Sequence, residues 1–193
     1  MIKIIPPSEF KNIPWKNGQG MTIELAINDG GSMTSFDWRI SSAAVNEDGF
    51  FSDFSGYSRH LILLEGKGIL LEHDLAAVDR LDSFLDIASF DGKNKTYGRL
   101  LDGPITDLNL ITNSSKYHAE VKVCDQCELN PINDLCFIYS PRNDAQLKNL
   151  NTEQELILIA KHLMQISFPE KTEAYTLSGE SLIVIKLTRK NLI

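Results

Sequence analysis

An all-β fold is what this 193-residue chain predicts, on three observations. Short runs alternate apolar and polar residues, clusters of Gly, Asn, Asp and Pro separate those runs, and only one stretch carries a helix-start signal. The runs are too short for anything but strands.

The elements follow in order. Trp15 to Gly20 has a proline just ahead of it and two glycines bracketing Gln19, which reads as a shaped loop. From Thr22 the alternation is strict, with Ile23, Leu25 and Ile27 on one side and Thr22, Glu24 and Ala26 on the other. Asn28-Asp29-Gly30-Gly31-Ser32 is a turn, and the next strand puts Phe36, Trp38 and Ile40 opposite Asp37, Arg39 and Ser41. These two strands are expected to pair antiparallel. Ser41 to Ser58, with Phe50, Phe51 and Phe54, reads as a long loop anchored by its aromatic rings. Arg59 to Glu65 is apolar on both faces, and with Ile69-Leu70-Leu71 beyond Gly66-Lys67-Gly68 it predicts a buried hairpin. The stretch 73–91 is polar and undecided. Thr106 to Ile111 alternates again, with Asp107 and Asn109 opposite Leu108 and Leu110. The last third repeats the rhythm at 117–123, 135–139, 156–160, 163–168 and 181–187. Thr152-Glu153-Gln154-Glu155 resembles a capping box, yet the β-branched content favours strand over helix there.

Composition narrows the function. A formal charge of −7 and no Lys/Arg cluster argue against nucleic acid as a partner. No apolar run is long enough to span a bilayer, and the N-terminus lacks the apolar core of a signal peptide, so a cytoplasmic protein with no membrane partner is expected. Cys124, Cys127 and Cys136 are an odd number without framework spacing. The expectation is reduced, incidental thiols, because Cys124-Asp125-Gln126-Cys127 has only Cys136 and His118 near it as further ligands.

Several blocks together resemble the HutD/Ves family: Trp15 to Glu24, Phe36 to Ser41, Asp48 to Gly56 with Arg59, and Gly103-Pro104 with Asp107-Leu108-Asn109. They run in that family's order over roughly residues 7 to 112. Gln19 replaces a usual glycine and Ser55 a usual proline. The resemblance implies a cupin-like, RmlC-like double-stranded β-helix, with two cupin-like halves packed into one bicupin-like domain over residues 1–193. It also implies a bacterial small-molecule binding protein. One branch accompanies histidine-utilisation genes as a moderator that binds a pathway metabolite such as a formylated glutamate, and the Ves branch is stress-related.

No metal or other cofactor is expected. His60, His73, His118 and His162 are scattered and no His-x-His occurs, so the remaining metal arrangement is His60 and His73 with Glu72. The stronger constellation is polar alternation: Thr22, Glu24, Asp37, Arg39, Asp107 and Asn109 would line one concave surface, with Trp15 and Asn17 on its rim and Arg59 paired to Asp107. Within it, Arg39 and Arg59 would hold a carboxylate and Asn17 or Asn109 would add amide hydrogen bonds. A competing account treats these charges as internal ion pairs that satisfy only one another. An enzymatic alternative is a metal-independent isomerase or hydrolase with Glu24 as base and His60 or Tyr57 as acid. A third has Phe50, Phe51 and Phe54 dock a protein, which the exposure of those rings decides. A homo-oligomer is left open.

Overall fold

The computed structural model describes residues 1–14, 20–74, 77–129, 135–168 and 173–190. Apart from one 3-10 turn at Pro7–Glu9, the regular structure of these residues is all strand. The strands are β1 (Ile2–Ile5), β2 (Lys11–Pro14), β3 (Met21–Ile27), β4 (Trp38–Val45), β5 (Gly49–Phe50) and β6 (Tyr57–Glu65). Then come β7 (Ile69–His73), β8 (Ala77–Leu81), β9 (Ile87–Asp91), β10 (Thr96–Leu100) and β11 (Ile105–Asn113). The C-terminal third adds β12 (Tyr117–Leu129), β13 (Leu135–Tyr139), β14 (Ala145–Asn149), β15 (Glu155–Leu158), β16 (Leu163–Ser167) and β17 (Tyr175–Arg189). Thr152 to Gln154 of the capping-box pattern form a turn and irregular backbone, and the apolar run behind them is the strand β15 from Glu155 to Leu158, not a helix.

The chain divides into two compact units, Phe10–Ser115, and Met1–Glu9 together with Lys116–Ile193. In the Phe10–Ser115 unit, a six-stranded sheet runs β2-β3-β4-β11-β6-β9 and a four-stranded sheet runs β5-β10-β7-β8. Leu61, Leu63 and Ala88 of the first pack with Ile69, Leu71 and Leu81 of the second, so the two sheets enclose one apolar interior. In the other unit, β17 is the spine of a seven-stranded sheet, and β1 joins that sheet beside β16.

Three expectations need correction. The strands β6 and β7 do not form a hairpin: β6 pairs with β11 and β9, whereas β7 pairs with β10 and β8. Gly66 and Gly68, at φ 101° and 116°, turn the chain from one sheet into the other. A Cβ on Gly66 would lie 2.5 Å from the Pro104 carbonyl oxygen and one on Gly68 2.4 Å from that of Leu81, so the corner is too tight for a side chain. Alternation also fails at the end of β3. A bulge between Glu24 and Ala26 aligns Ala26 with Ile40 and Ile27 with Arg39. Ile27 therefore shares the face of the arginine. Ser41 to Ser58 is only partly loop, since β4 continues to Val45 and β5 adds two residues.

Candidate functional site

Residues directly opposite in an antiparallel pair project from the same face. In the six-stranded sheet, Arg39 stands across from Ile111 and Ile111 from Arg59. One row along, Glu24 faces Ser41, Ser41 faces Asn109 and Asn109 faces Leu61; in the next, Thr22 faces Ala43, Ala43 faces Asp107 and Asp107 faces Leu63. Thr22, Glu24, Arg39, Arg59, Asp107 and Asn109 thus share the face of Leu61 and Leu63, which looks into the interior between the two sheets. Trp15 and Asn17 lie outside the described residues.

The polar groups form two linked sets. Arg39 donates from Nε to Glu24 Oε2 at 2.8 Å, a pair buried on both sides. Arg59 donates from Nη2 to Asn109 Oδ1 at 2.9 Å, and Asn109 donates from Nδ2 to Asp107 Oδ1 at 2.6 Å. The Ala43 amide also donates to Asp107 Oδ1, at 3.3 Å. The bridge between Arg59 and Asp107 therefore runs through Asn109. Three buried atoms have no hydrogen-bond partner among the described residues: Arg39 Nη2, Arg59 Nε and Asp107 Oδ2.

The electrostatics follow from burial. Asp107 is fully enclosed, and desolvation pushes its carboxyl up to about 7 against the opposing pull of Arg59 and of two hydrogen bonds. Desolvation also lowers Arg59, to about 10, and Asp107 only partly offsets that. The guanidinium stays charged at neutral pH while its nearest carboxyl is divided between neutral and ionised forms. Phe51, Phe54 and Phe90 stand 5.1, 5.4 and 5.1 Å from the Arg59 guanidinium carbon, so three rings share a cation that one carboxylate would otherwise hold.

This aromatic box was not foreseen in the sequence. Its signal was the phase of Phe51, Phe54 and Phe90 relative to Arg59, which only the strand pairing supplies. Phe50 is 65% exposed and rests edge-on to Tyr97, whereas Phe51 and Phe54 are partly buried against Arg59. The docking idea therefore loses two of its three rings.

The histidines do not gather. His60 aligns with Leu110 and Ser89, on the opposite face of the sheet from Glu24, and its Nδ1 bonds Ser89 Oγ at 2.8 Å. The suggested Glu24 and His60 acid–base couple is thus separated by the sheet itself. Tyr57 donates from its hydroxyl to the Phe36 carbonyl at 2.9 Å. His73 is buried, hydrogen-bonded to Thr96 Oγ1 and Asp79 Oδ2 at 2.9 and 3.1 Å, and lies 4.7 Å from the Phe90 ring. Glu72 alternates with His73 along β7 and reaches Arg99 at 3.4 Å. The conceivable His60, His73 and Glu72 site is therefore not assembled, and no group of three or more His, Cys, Asp or Glu suited to a metal occurs among the described residues.

The family profile described as HutD matches residues 7–186. The chain belongs to the HutD family. An uncharacterised 21.2 kDa protein from the hutC 3′ region of Pseudomonas putida is 35% identical over 124 residues, which covers 64% of this chain and 65% of that protein. Protein Ves of Citrobacter koseri is 33% identical over 113 residues, 58% of each chain. The chain thus matches 65% and 58% of the lengths of these two curated relatives, less than two thirds of either. HutD from Pseudomonas fluorescens, in a structure described as its formate condition, superposes with a TM-score of 0.85 at 26% identity, covering 99% of this chain and 100% of that one. A conserved protein of unknown function from Pseudomonas aeruginosa gives 0.88 at 25% identity, covering 97% and 99%. The bacterial pirin YhhW of Escherichia coli, at 8% identity and 0.66 over 98% and 99% of the two chains, shares the cupin-like fold alone.

The two departures from the HutD pattern have different standing. Gln19 lies outside the described residues. At the other, the Ser55 amide and hydroxyl both donate to Asp53 Oδ1 at 2.7 Å, so a local hydrogen-bonded turn does the work of a proline ring.

Proposed function

We propose that the interior of the Phe10–Ser115 unit binds a small carboxylate, most simply an anionic amino-acid derivative, without transforming it. The observation that carries this reading is Arg59, a charged group only 5% exposed whose Nε has no partner among the described residues and whose neighbouring carboxyl is held near 7. A buried cation without full compensation is costly, and an anion relieves it. Arg39 Nη2 offers a second donor across Ile111, about 10 Å away by strand spacing, which suits a ligand with acidic or acyl groups at both ends. Protonated Asp107 donates from Oδ2 to a carboxylate, and ionised Asp107 accepts from an amide. Each charge-assisted contact contributes roughly 1.5–3 kcal/mol, so two or three support micromolar to millimolar affinity.

Family membership and the hutC-region relative favour a role as a metabolite-responsive moderator of histidine utilisation over the stress role of the Ves branch. Such a moderator acts in the cytoplasm, where catabolic intermediates accumulate. An isomerase or hydrolase through Glu24 and His60 has lost its geometric basis.

The test is a thermal-shift series with mono- and dicarboxylates and N-acylated amino acids beside their uncharged amides. At a hundred times Kd a carboxylate adds about 2.7 kcal/mol of stability. Wild-type protein should rise in Tm with carboxylates and not with amides, and Arg59→Met should lose the response. Indifference to every carboxylate at about 10 mM, or an undiminished response in Arg59→Met, would remove the proposal.

A further inference from the structure

The Cys124-Asp125-Gln126-Cys127 segment of β12 has a geometry that incidental cysteines do not need. Two strand residues three apart ordinarily project from opposite faces. Here the ladder with β17 is interrupted: Cys124 aligns with Leu182 and Gln126 with Ser178, so two steps on β12 oppose four on β17. The irregularity resets the pleat. Leu182 and Leu177, across from Cys124 and Cys127, enter the same apolar core, and both cysteines pack against it. The Ser181 amide donates to Asp125 Oδ1 at 2.7 Å, and Ser181 itself holds φ 57°, so the irregularity is pinned from both strands.

The result is a pair of free thiols with sulfurs 2.8 Å apart, less than an ångström beyond the ~2.05 Å of a disulfide bond. Both are half-buried, and β12 pairs with no strand but β17 among the described residues, so the pair sits on a sheet edge. Cys136 is fully buried on β13. We propose that Cys124 and Cys127 are a modification site that closes reversibly to a disulfide on exchange with low-molecular-weight disulfides of the glutathione type.

The exchange starts at Cys127, because the Cys124 thiol donates to the Cys127 sulfur and so keeps its own proton, in line with the burial and neighbouring thiol that raise Cys124. Cys127 Sγ, as thiolate, attacks one sulfur of the small disulfide, forms a mixed disulfide and releases one small thiolate. Cys124 then gives up its proton and its Sγ attacks the Cys127 sulfur, forming the intramolecular bond and expelling the second thiolate. The protein loses two protons and two electrons, and the small disulfide becomes two small thiols. Proximity compensates for the weak acidity of Cys124 in the second step.

The experiment equilibrates the full chain in graded ratios of oxidised to reduced glutathione, quenches with acid, and alkylates under denaturing conditions for peptide mass mapping. Two of the three thiols should be protected together, in a Cys124–Cys127 peptide lighter by two hydrogens, with Cys136 alkylated. Cys124→Ser should stop at a glutathione adduct on Cys127, and Cys136→Ser should behave as wild type. In urea, half-oxidation should require at least about tenfold more oxidised glutathione, because the pinned irregularity is gone. A persistent adduct on wild-type Cys127, oxidation that requires Cys136, or equal oxidation in urea would each overturn the proposal.

Discussion

The two units use the same material, antiparallel sheets around an apolar interior, and differ in what the interior contains. The core of the unit built around β17 is Leu129, Ile138, Leu147, Leu158, Met164, Ile166, Leu177, Leu182 and Val184, with Tyr175 and Cys136; the buried polar side chains of this unit are Ser140 and Asn149, and none of its described residues is a buried charge. In the Phe10–Ser115 unit, Leu61 and Leu63 share their face with two arginines, an aspartate and an asparagine. The first core is what stability alone selects. The second gives up apolar burial for charges that are incompletely paired, which is the ground on which the proposed carboxylate site rests.

The contrast can be broken by substitution. The largest expected effect is in the apolar core: Leu177→Ala should cost up to about 5 kcal/mol in denaturant unfolding and leave the carboxylate response per occupied site unchanged. A lost response in a folded Leu177→Ala protein would show that the two interiors are not separable. Next comes Asp107. Its pKa is 3.8 when exposed and about 7 when folded, so its favourable contribution is complete below about pH 4 and is lost as the pH rises through 7. Measured against Asp107→Asn, which cannot titrate, wild-type stability should therefore fall between pH 4 and 7 by on the order of 4 kcal/mol, then level off. Parallel pH profiles for the two proteins would mean that Asp107 is ionised throughout.

Glu24→Gln sharpens the comparison more gently. Removing the carboxylate that balances Arg39 should destabilise the protein by roughly 1–3 kcal/mol and tighten carboxylate binding by about tenfold, as titration calorimetry would show. Weaker binding would instead put Glu24 in contact with the ligand. The smallest effect is expected at Phe50→Ala, under about 1 kcal/mol with binding intact, whereas Phe51→Ala also strips a ring from Arg59 and should weaken the carboxylate response.

How far the site was legible follows from these residues. The alternation of Asp37-Trp38-Arg39-Ile40 and of Asp107-Leu108-Asn109-Leu110 placed Arg39, Asp107 and Asn109 on the polar side of their strands, and the structure keeps them there. Along β3 the apolar side is not the buried one throughout, since Ile23 is 39% exposed and Glu24 only 7%. Apolar alternation reports a face, and it cannot say that a polar face will be turned inward. The Arg59 box, the separation of His60 from Glu24 and the convergence of Cys124 with Cys127 all depend on register between distant strands, to which local periodicity is blind.

The amino-acid order alone determined that this is a β protein, because side-chain phase and turn chemistry act over a few residues, and it carried the family blocks. Which strands became neighbours was decided in three dimensions. Gly66 and Gly68 made a corner between sheets where a hairpin was expected, and a bulge inverted the end of β3. Only that pairing set two arginines on either side of Ile111 and left a spare donor of each buried inside the protein, because register between distant strands, and not local periodicity, decides which side chains meet.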